Sequence, residues 1–279
     1  MNRTKESNER IVRDVKNKLA ILDPGLILPN EALRTLDSSS CDNAPFVPAD
    51  VEERPEEAER LILSRTDLTL LKQDATAREI ALLCSSALLR GAFSVCVNPN
   101  RAALAVAALA GTDVKVAAVV GFPLGASLPN VVAAEAATLV DVGVDEIDLP
   151  IPVGLIKDGN LREVRNFLMT VRNAIPGIPM KVILETCLLQ PEDIVTASLI
   201  ALSAGADQIK TSTGFSTGGA TVEAVSLMRA VAGNFAGVKA SGGIRDVASA
   251  LAMLRAGASR IGASAINPAP EGRADGGYA

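Results

Sequence analysis

At 279 residues, 48% hydrophobic but only 3% aromatic, the chain suits one α/β barrel of roughly 250 residues with a core of Ala, Val, Leu and Ile. A net charge of −5, with no basic patch interleaved with aromatics, argues against nucleic acid as a partner. The complete absence of histidine rules out a His-ligated metal site.

Residues 1–60 differ from the rest and are expected to form a helical, partly disordered N-terminal extension. Ile11, Val12, Val15 and Leu19 make a weak helical stripe among many charges, and a Pro/Ser/Asp stretch covers 37–50. A second, acidic helix is predicted over roughly 49–63. The N-terminus is charged and lacks an apolar signal core, and no uncharged apolar run suits a membrane span. Cys41, Cys84, Cys96 and Cys187 are scattered without CxxC spacing and read as reduced thiols, so a cytoplasmic protein is expected.

From about residue 66 the chain alternates short strands with Ala/Leu-rich helices. Strands are predicted at 67–71, 93–97, 114–120, 145–151, 181–186, 207–212, 237–241 and 259–264. Eight such units predict an α/β fold, a (β/α)8 TIM barrel over 61–279 with an N-terminal helical extension and a short C-terminal tail. An internal repeat supports this. Gly91, Gly143, Gly205 and Gly257 each read as a helix terminator five residues before Cys96, Asp148, Lys210 and Gly262. The fixed offset predicts that Asp148 and Lys210 lie at comparable heights in the barrel.

Lys210, between Ile209 and Thr211, and Lys239, between Val238 and Ala240, each place an ammonium in a strand. A neutral lysine amine can attack a carbonyl to form a Schiff base, and a second ammonium nearby favours that neutral state. Lowering a lysine from about 10.4 to about 7 takes about 4.6 kcal/mol, within reach of a like charge plus partial desolvation. The alternatives are a structural ion pair for Lys210 and a permanently charged anion-binding role for Lys239. Asp148, flanked by Ile147 and Leu149, is expected to face inward as a proton carrier or as an ion-pair partner of either lysine. Its neighbours Asp145 and Glu146 are expected to cap the strand or face solvent.

Glycine turns suggest a phosphate cradle: Gly242 and Gly243 after the seventh strand, Ser264 closing the eighth, and Gly214 after the sixth. Cys96 reads as a small core residue, and Glu185, beside Lys181, as an outlying partner. Thr69 and Lys72 border the mouth, where loop chemistry explains them. Pro150 and Pro152 suggest that strand pairing ends soon after Asp148. Tyr278, the single tyrosine, reads as an incidental exposed terminus; the alternative is a phenol folding over the mouth as proton donor.

With these residues in view, the stretches SVCVNP, VGFPLGA, DEID, KVILETCLL, GADQIKTSTGFSTGGAT and GVKASGGIRD resemble the deoxyribose-phosphate aldolases, which are class I, Schiff-base-forming aldolases. The resemblance runs from about 67 to 266. It implies Lys210 as the Schiff-base lysine, Lys239 as its tuning partner and Asp148 as the proton relay. It further implies a sugar phosphate and aldehydes as small-molecule partners, with no metal or organic cofactor. A homodimer is compatible with this reading. DLTLLK stands where the family often has DHTLLK, and LPIPVG where it commonly has MVINIG, so the fourth loop departs from the pattern. A different Schiff-base aldolase, a non-catalytic phosphate-binding barrel and a phosphate-barrel isomerase are the competing readings.

Overall fold

The computed structural model describes residues 2–22 and 47–266. Cys41, Tyr278 and the tail beyond residue 266 lie outside the described residues. Eight parallel strands close in sequence order: β1 (Thr66–Leu70), β2 (Ser94–Val97), β3 (Lys115–Val119), β4 (Glu146–Pro150), β5 (Met180–Ile183), β6 (Gln208–Lys210), β7 (Gly237–Ser241) and β8 (Arg260–Ala263). Asp67 of β1 stands opposite Ser94 on one side and Gly262 on the other, so no sheet edge remains. This is the expected TIM barrel.

The helices begin where the sequence supplies a start signal. α1 (Asn2–Leu22) and α2 (Pro55–Leu63) precede the barrel; α3 (Ala77–Arg90), α4 (Pro99–Leu109) and α5 (Pro129–Val142) follow β1, β2 and β3. α6 (Val153–Lys157) and α7 (Leu161–Ala174) follow β4, and α8 (Pro191–Ser203), α9 (Val222–Ala232) and α10 (Val247–Arg255) follow β5, β6 and β7. Proline opens α4, α5 and α8, where its missing N–H has no intrahelical partner to lose. Thr76 and Asp246 close capping boxes at α3 and α10. Gly91, Gly143, Gly205 and Gly257 all take positive φ, as the internal repeat requires.

The acidic helix expected over 49–63 is in fact two pieces, a 3-10 turn at Val51–Glu53 and then α2. Pro55 holds the preceding Arg54 extended, at φ −124° and ψ 77°, which breaks the helix there. α1 packs on α8 and α9, with Val12 and Val15 buried. Among the described residues, no helix is long and apolar enough to cross a membrane.

Strand alternation divides the barrel chemically. Leu68, Val95, Val116, Ile147, Val182, Ile209, Val238 and Ile261 face the helices and are all buried, each contributing roughly 1.5–3 kcal/mol. The opposite set contains Asp67, Glu146, Asp148, Lys181, Lys210, Lys239 and Arg260, also buried and joined by ion pairs across the barrel. Cohesion therefore resides mainly in the sheet–helix interface, while the axis is ionic.

Candidate active site

Asp148 is the hub of the barrel interior. Its Oδ2 accepts from Lys210 Nζ at 2.9 Å and from Lys239 Nζ at 3.0 Å, and its Oδ1 accepts from Lys181 Nζ at 2.6 Å. Lys210 is 2% exposed and the other three are fully buried. Lys210 and Lys239 are register partners on β6 and β7, and Asp148 is the register partner of Lys181. The ladder pairs Lys210 with Ile183 and Ile183 with Pro150, two residues beyond Asp148. The side chains of Asp148 and Lys210 nevertheless meet inside the barrel, as the offset between Gly143 and Gly205 led one to expect of neighbours.

The electrostatics separate the three lysines. Burial is the largest influence on Lys210 and lowers its pKa; Asp148 pulls the other way, and the Lys239 charge adds to the lowering. Burial also works against the charge of Lys239, but Asp148 and Asp67 outweigh it and raise its pKa above the usual lysine value. Lys181 behaves likewise: burial is opposed by Asp148, Asp67 and Glu146, and its pKa rises. For Asp148, burial favours the neutral acid, yet Lys181, Lys210 and Lys239 together hold it well below the ordinary carboxylate range. The interior therefore contains one lysine tuned toward the neutral amine, beside an ionised carboxylate and two permanent ammoniums.

This refines the expectation drawn from the lysine pair. Desolvation, more than the neighbouring cation, lowers Lys210, and the influence of Lys239 is not reciprocal because two carboxylates hold its proton. Glu146 corrects the expectation outright. It does not face solvent but sits in the interior, 2.6 Å from Lys181 Nζ and 3.5 Å from Arg260. Asp145 fits better, accepting from the Val116 N–H at 2.8 Å and pairing with half-exposed Lys115.

Around the hub, small residues make room. A Cβ on Gly262 would meet Lys239 Cε at 3.0 Å and Ser241 Cβ at 2.9 Å, so glycine there lets the lysine cross the barrel. Cys96 is fully buried, and burial pushes its thiol up to about 11, in keeping with a core residue. β4 runs to Pro150, where pairing with β5 gives way to the fourth loop.

The phosphate candidates occupy the C-terminal rim. Gly214, Gly243 and Ser264 are exposed and Gly242 is half-buried, in the segments following β6, β7 and β8. The sixth and seventh loops are stitched together. Thr211 donates its hydroxyl to the Ser241 carbonyl, Ser241 donates to the Ser212 carbonyl, and the Ala220 N–H donates to the Gly242 carbonyl. A Cβ on Gly219 would run into the Gly242 carbonyl group. The fifth loop joins in through Glu185, buried with φ +56°, whose carboxylate accepts from the N–H and hydroxyl of Thr213.

A family model described as "DeoC/LacD family aldolase" matches residues 61–273. The chain belongs to the DeoC/LacD aldolase family. It is 50% identical over 216 residues to a deoxyribose-phosphate aldolase of Geobacillus sp., covering 77% of this chain and 97% of that protein. With a deoxyribose-phosphate aldolase of Brevibacillus brevis it shares 52% identity over 198 residues, 71% of this chain and 90% of the other. A crystal structure of a putative deoxyribose-phosphate aldolase from Coccidioides immitis superposes with a TM-score of 0.74 at 32% identity, covering 92% of this chain and 94% of that one.

Within this DeoC/LacD aldolase, sequence reasoning assigned no role to Lys181, Asp67 or Arg260. The signal was the same that singled out Lys210: Lys181 stands between Met180 and Val182, both fully buried, on a strand whose alternate face is the interior. The predicted strand starts at Lys181, whereas β5 starts one residue earlier, at Met180. Asp67 likewise opens a predicted strand, while β1 begins one residue earlier, at Thr66.

Proposed function

We propose that this chain is a deoxyribose-phosphate aldolase, cleaving 2-deoxy-D-ribose 5-phosphate reversibly to acetaldehyde and D-glyceraldehyde 3-phosphate through a Schiff base on Lys210. One observation carries the reading: the only one of three buried lysines around Asp148 whose pKa is lowered is the one on β6. Relatives bearing that name at about 50% identity support the substrate.

Neutral Lys210 attacks C1 of the open-chain aldehyde, and the carbinolamine takes up a proton and loses water to give the iminium, the proton being given back when the iminium is hydrolysed. When C2–C3 breaks, its electron pair passes into the iminium and leaves an enamine, while the C3 hydroxyl proton moves to Asp148 through a water. Glyceraldehyde 3-phosphate departs. The proton returns to the enamine carbon, hydrolysis releases acetaldehyde, and Lys210 is regenerated as the amine. The low proton affinity of Asp148 suits a relay, since it passes a proton on rather than keeping it. Lys239 stays charged and supports the ionised carboxylate. Backbone groups of Gly214, Gly242 and Gly243 and the Ser264 side chain hold the phosphate and fix the distance from it to C1.

Incubation with acetaldehyde and borohydride, followed by peptide mass mapping, is expected to find one added two-carbon unit on Lys210. A dominant adduct on another lysine, or none, would remove the reading. The phosphate assignment has its own check. Gly219→Ala forces the sixth and seventh loops apart, so KM for the sugar phosphate rises on the order of tenfold while trapping of acetaldehyde on Lys210 is retained. Equal loss of both would mean that the substitution damages the whole barrel.

A further inference from the structure

The charges beneath Lys210 close into a circuit. Asp148 Oδ1 meets Lys181 Nζ at 2.6 Å, and Lys181 Nζ meets Glu146 Oε2 at 2.6 Å. Glu146 Oε2 lies 3.5 Å from Arg260, and the same guanidinium nitrogen lies 2.8 Å from Asp67 Oδ1. Asp67 Oδ2 pairs closely with Lys239, which returns to Asp148 Oδ2 at 3.0 Å. The circuit holds three carboxylates and three cations, alternating in sign, every one buried. Lys210 attaches to it from outside, at Asp148 Oδ2. It is the seventh charge and has no carboxylate left to balance it.

We propose that this closed circuit is what selects Lys210 as the neutral lysine, and that Glu146 and Arg260 are positioning residues that set its protonation without touching the substrate. The proposal rests on Lys210 being the reacting amine. The groups facing that amine are few: Asp148 from β4, Lys239 from β7 and the Cys96 thiol from β2, with Asp67 and Lys181 behind them, while its register partner on β5, Ile183, is apolar. In so dry an interior an unbalanced charge is costly, and the circuit gives each of its own cations two anionic neighbours. Arg260 cannot release a proton at all. Its guanidinium also stacks 3.3 Å from the centre of the Phe93 ring, which fixes it in place. Relief of the excess positive charge therefore falls to Lys210.

The consequence has a sign that mere damage does not share. Glu146→Gln removes an anion and leaves the interior more positive, so Lys210 loses its proton more readily. Arg260→Met removes a cation and has the opposite effect. The experiment is the rate of borohydride trapping with acetaldehyde as a function of pH. Relative to the parent protein, Glu146→Gln moves the acid limb down by about half a unit to one unit, and Arg260→Met moves it up by a similar amount. On that limb the trapping rate at fixed pH changes about threefold to tenfold in opposite directions. The double variant Glu146→Gln/Arg260→Met restores neutrality and returns the limb to its original position. Should one single variant fail to fold, the other single variant must shift in its own direction and the double variant must undo that shift.

Shifts in the same direction, unmoved limbs, or a double variant that stays shifted would overturn the proposal. Failure of the parent protein to trap on Lys210 is a different result and would strike the Schiff-base reading itself.

Discussion

Exchange of Lys210 for methionine is expected to lower turnover of the sugar phosphate by at least about a thousandfold and to abolish the acetaldehyde adduct, because the other two lysines around Asp148, Lys181 and Lys239, are held in the charged form. Folding is expected to survive. The substitution removes the basic group left over when the six charges of the circuit are paired, and Asp148 keeps both Lys181 and Lys239. Replacing a poorly compensated buried charge by a similarly shaped apolar side chain is neutral or stabilising. Thermal unfolding should therefore show an unchanged or higher midpoint. Activity within tenfold of the parent, or a new adduct on Lys239, would contradict the assignment.

Asp148→Asn is expected to behave in the opposite way, losing both catalysis and stability. The substitution takes away the anion that the buried Lys181 and Lys239 ammoniums share and that also accepts from Lys210, leaving each of the two cations with one carboxylate in place of two. Breaking such an arrangement costs about 3–5 kcal/mol, readable as a lower urea midpoint with an unchanged slope. The pH dependence has a definite sign. The carboxyl of Asp148 is held well below its ordinary range in the folded chain. Its contribution is therefore fully present above the unfolded-state value of about 3.9 and is lost as the pH falls from there through the folded value. The parent protein should thus lose stability below about pH 4 more steeply than Asp148→Asn does. Parallel acid profiles for the two proteins would mean that the hub contributes nothing to folding.

Much of this was legible in the residues. Aliphatic flanks turned Asp148 inward and marked Lys210 and Lys239 as ammoniums within strands, without deciding which face the lysines take, and the glycine offset brought Asp148 and Lys210 into one neighbourhood. The same alternation, applied without the expectation that strand ends are exposed, would have turned Glu146 and Lys181 inward as well. Glu146 was misjudged because a charged residue beside a predicted strand start looks solvated, and Lys181 was passed over. Only cross-barrel pairing, a contact between strands far apart in sequence, reveals what neutralises each. The break before Pro55 was available from the restriction proline imposes on the preceding residue. The strained backbone at Glu185 was not, because an αL glutamate leaves no local trace in sequence.

The stitching of the fifth, sixth and seventh loops bears on how a phosphorylated sugar would be received. Glu185 grips Thr213, Ser241 is tied to Thr211 and Ser212, and the Gly219 and Gly242 backbones touch. A collar built this way is shaped before any guest arrives. Little ordering entropy then opposes capture, and discrimination comes from whether the guest's length matches a fixed span between anion seat and amine. Sugars one carbon shorter or longer should therefore be rejected by geometry and not accommodated by movement.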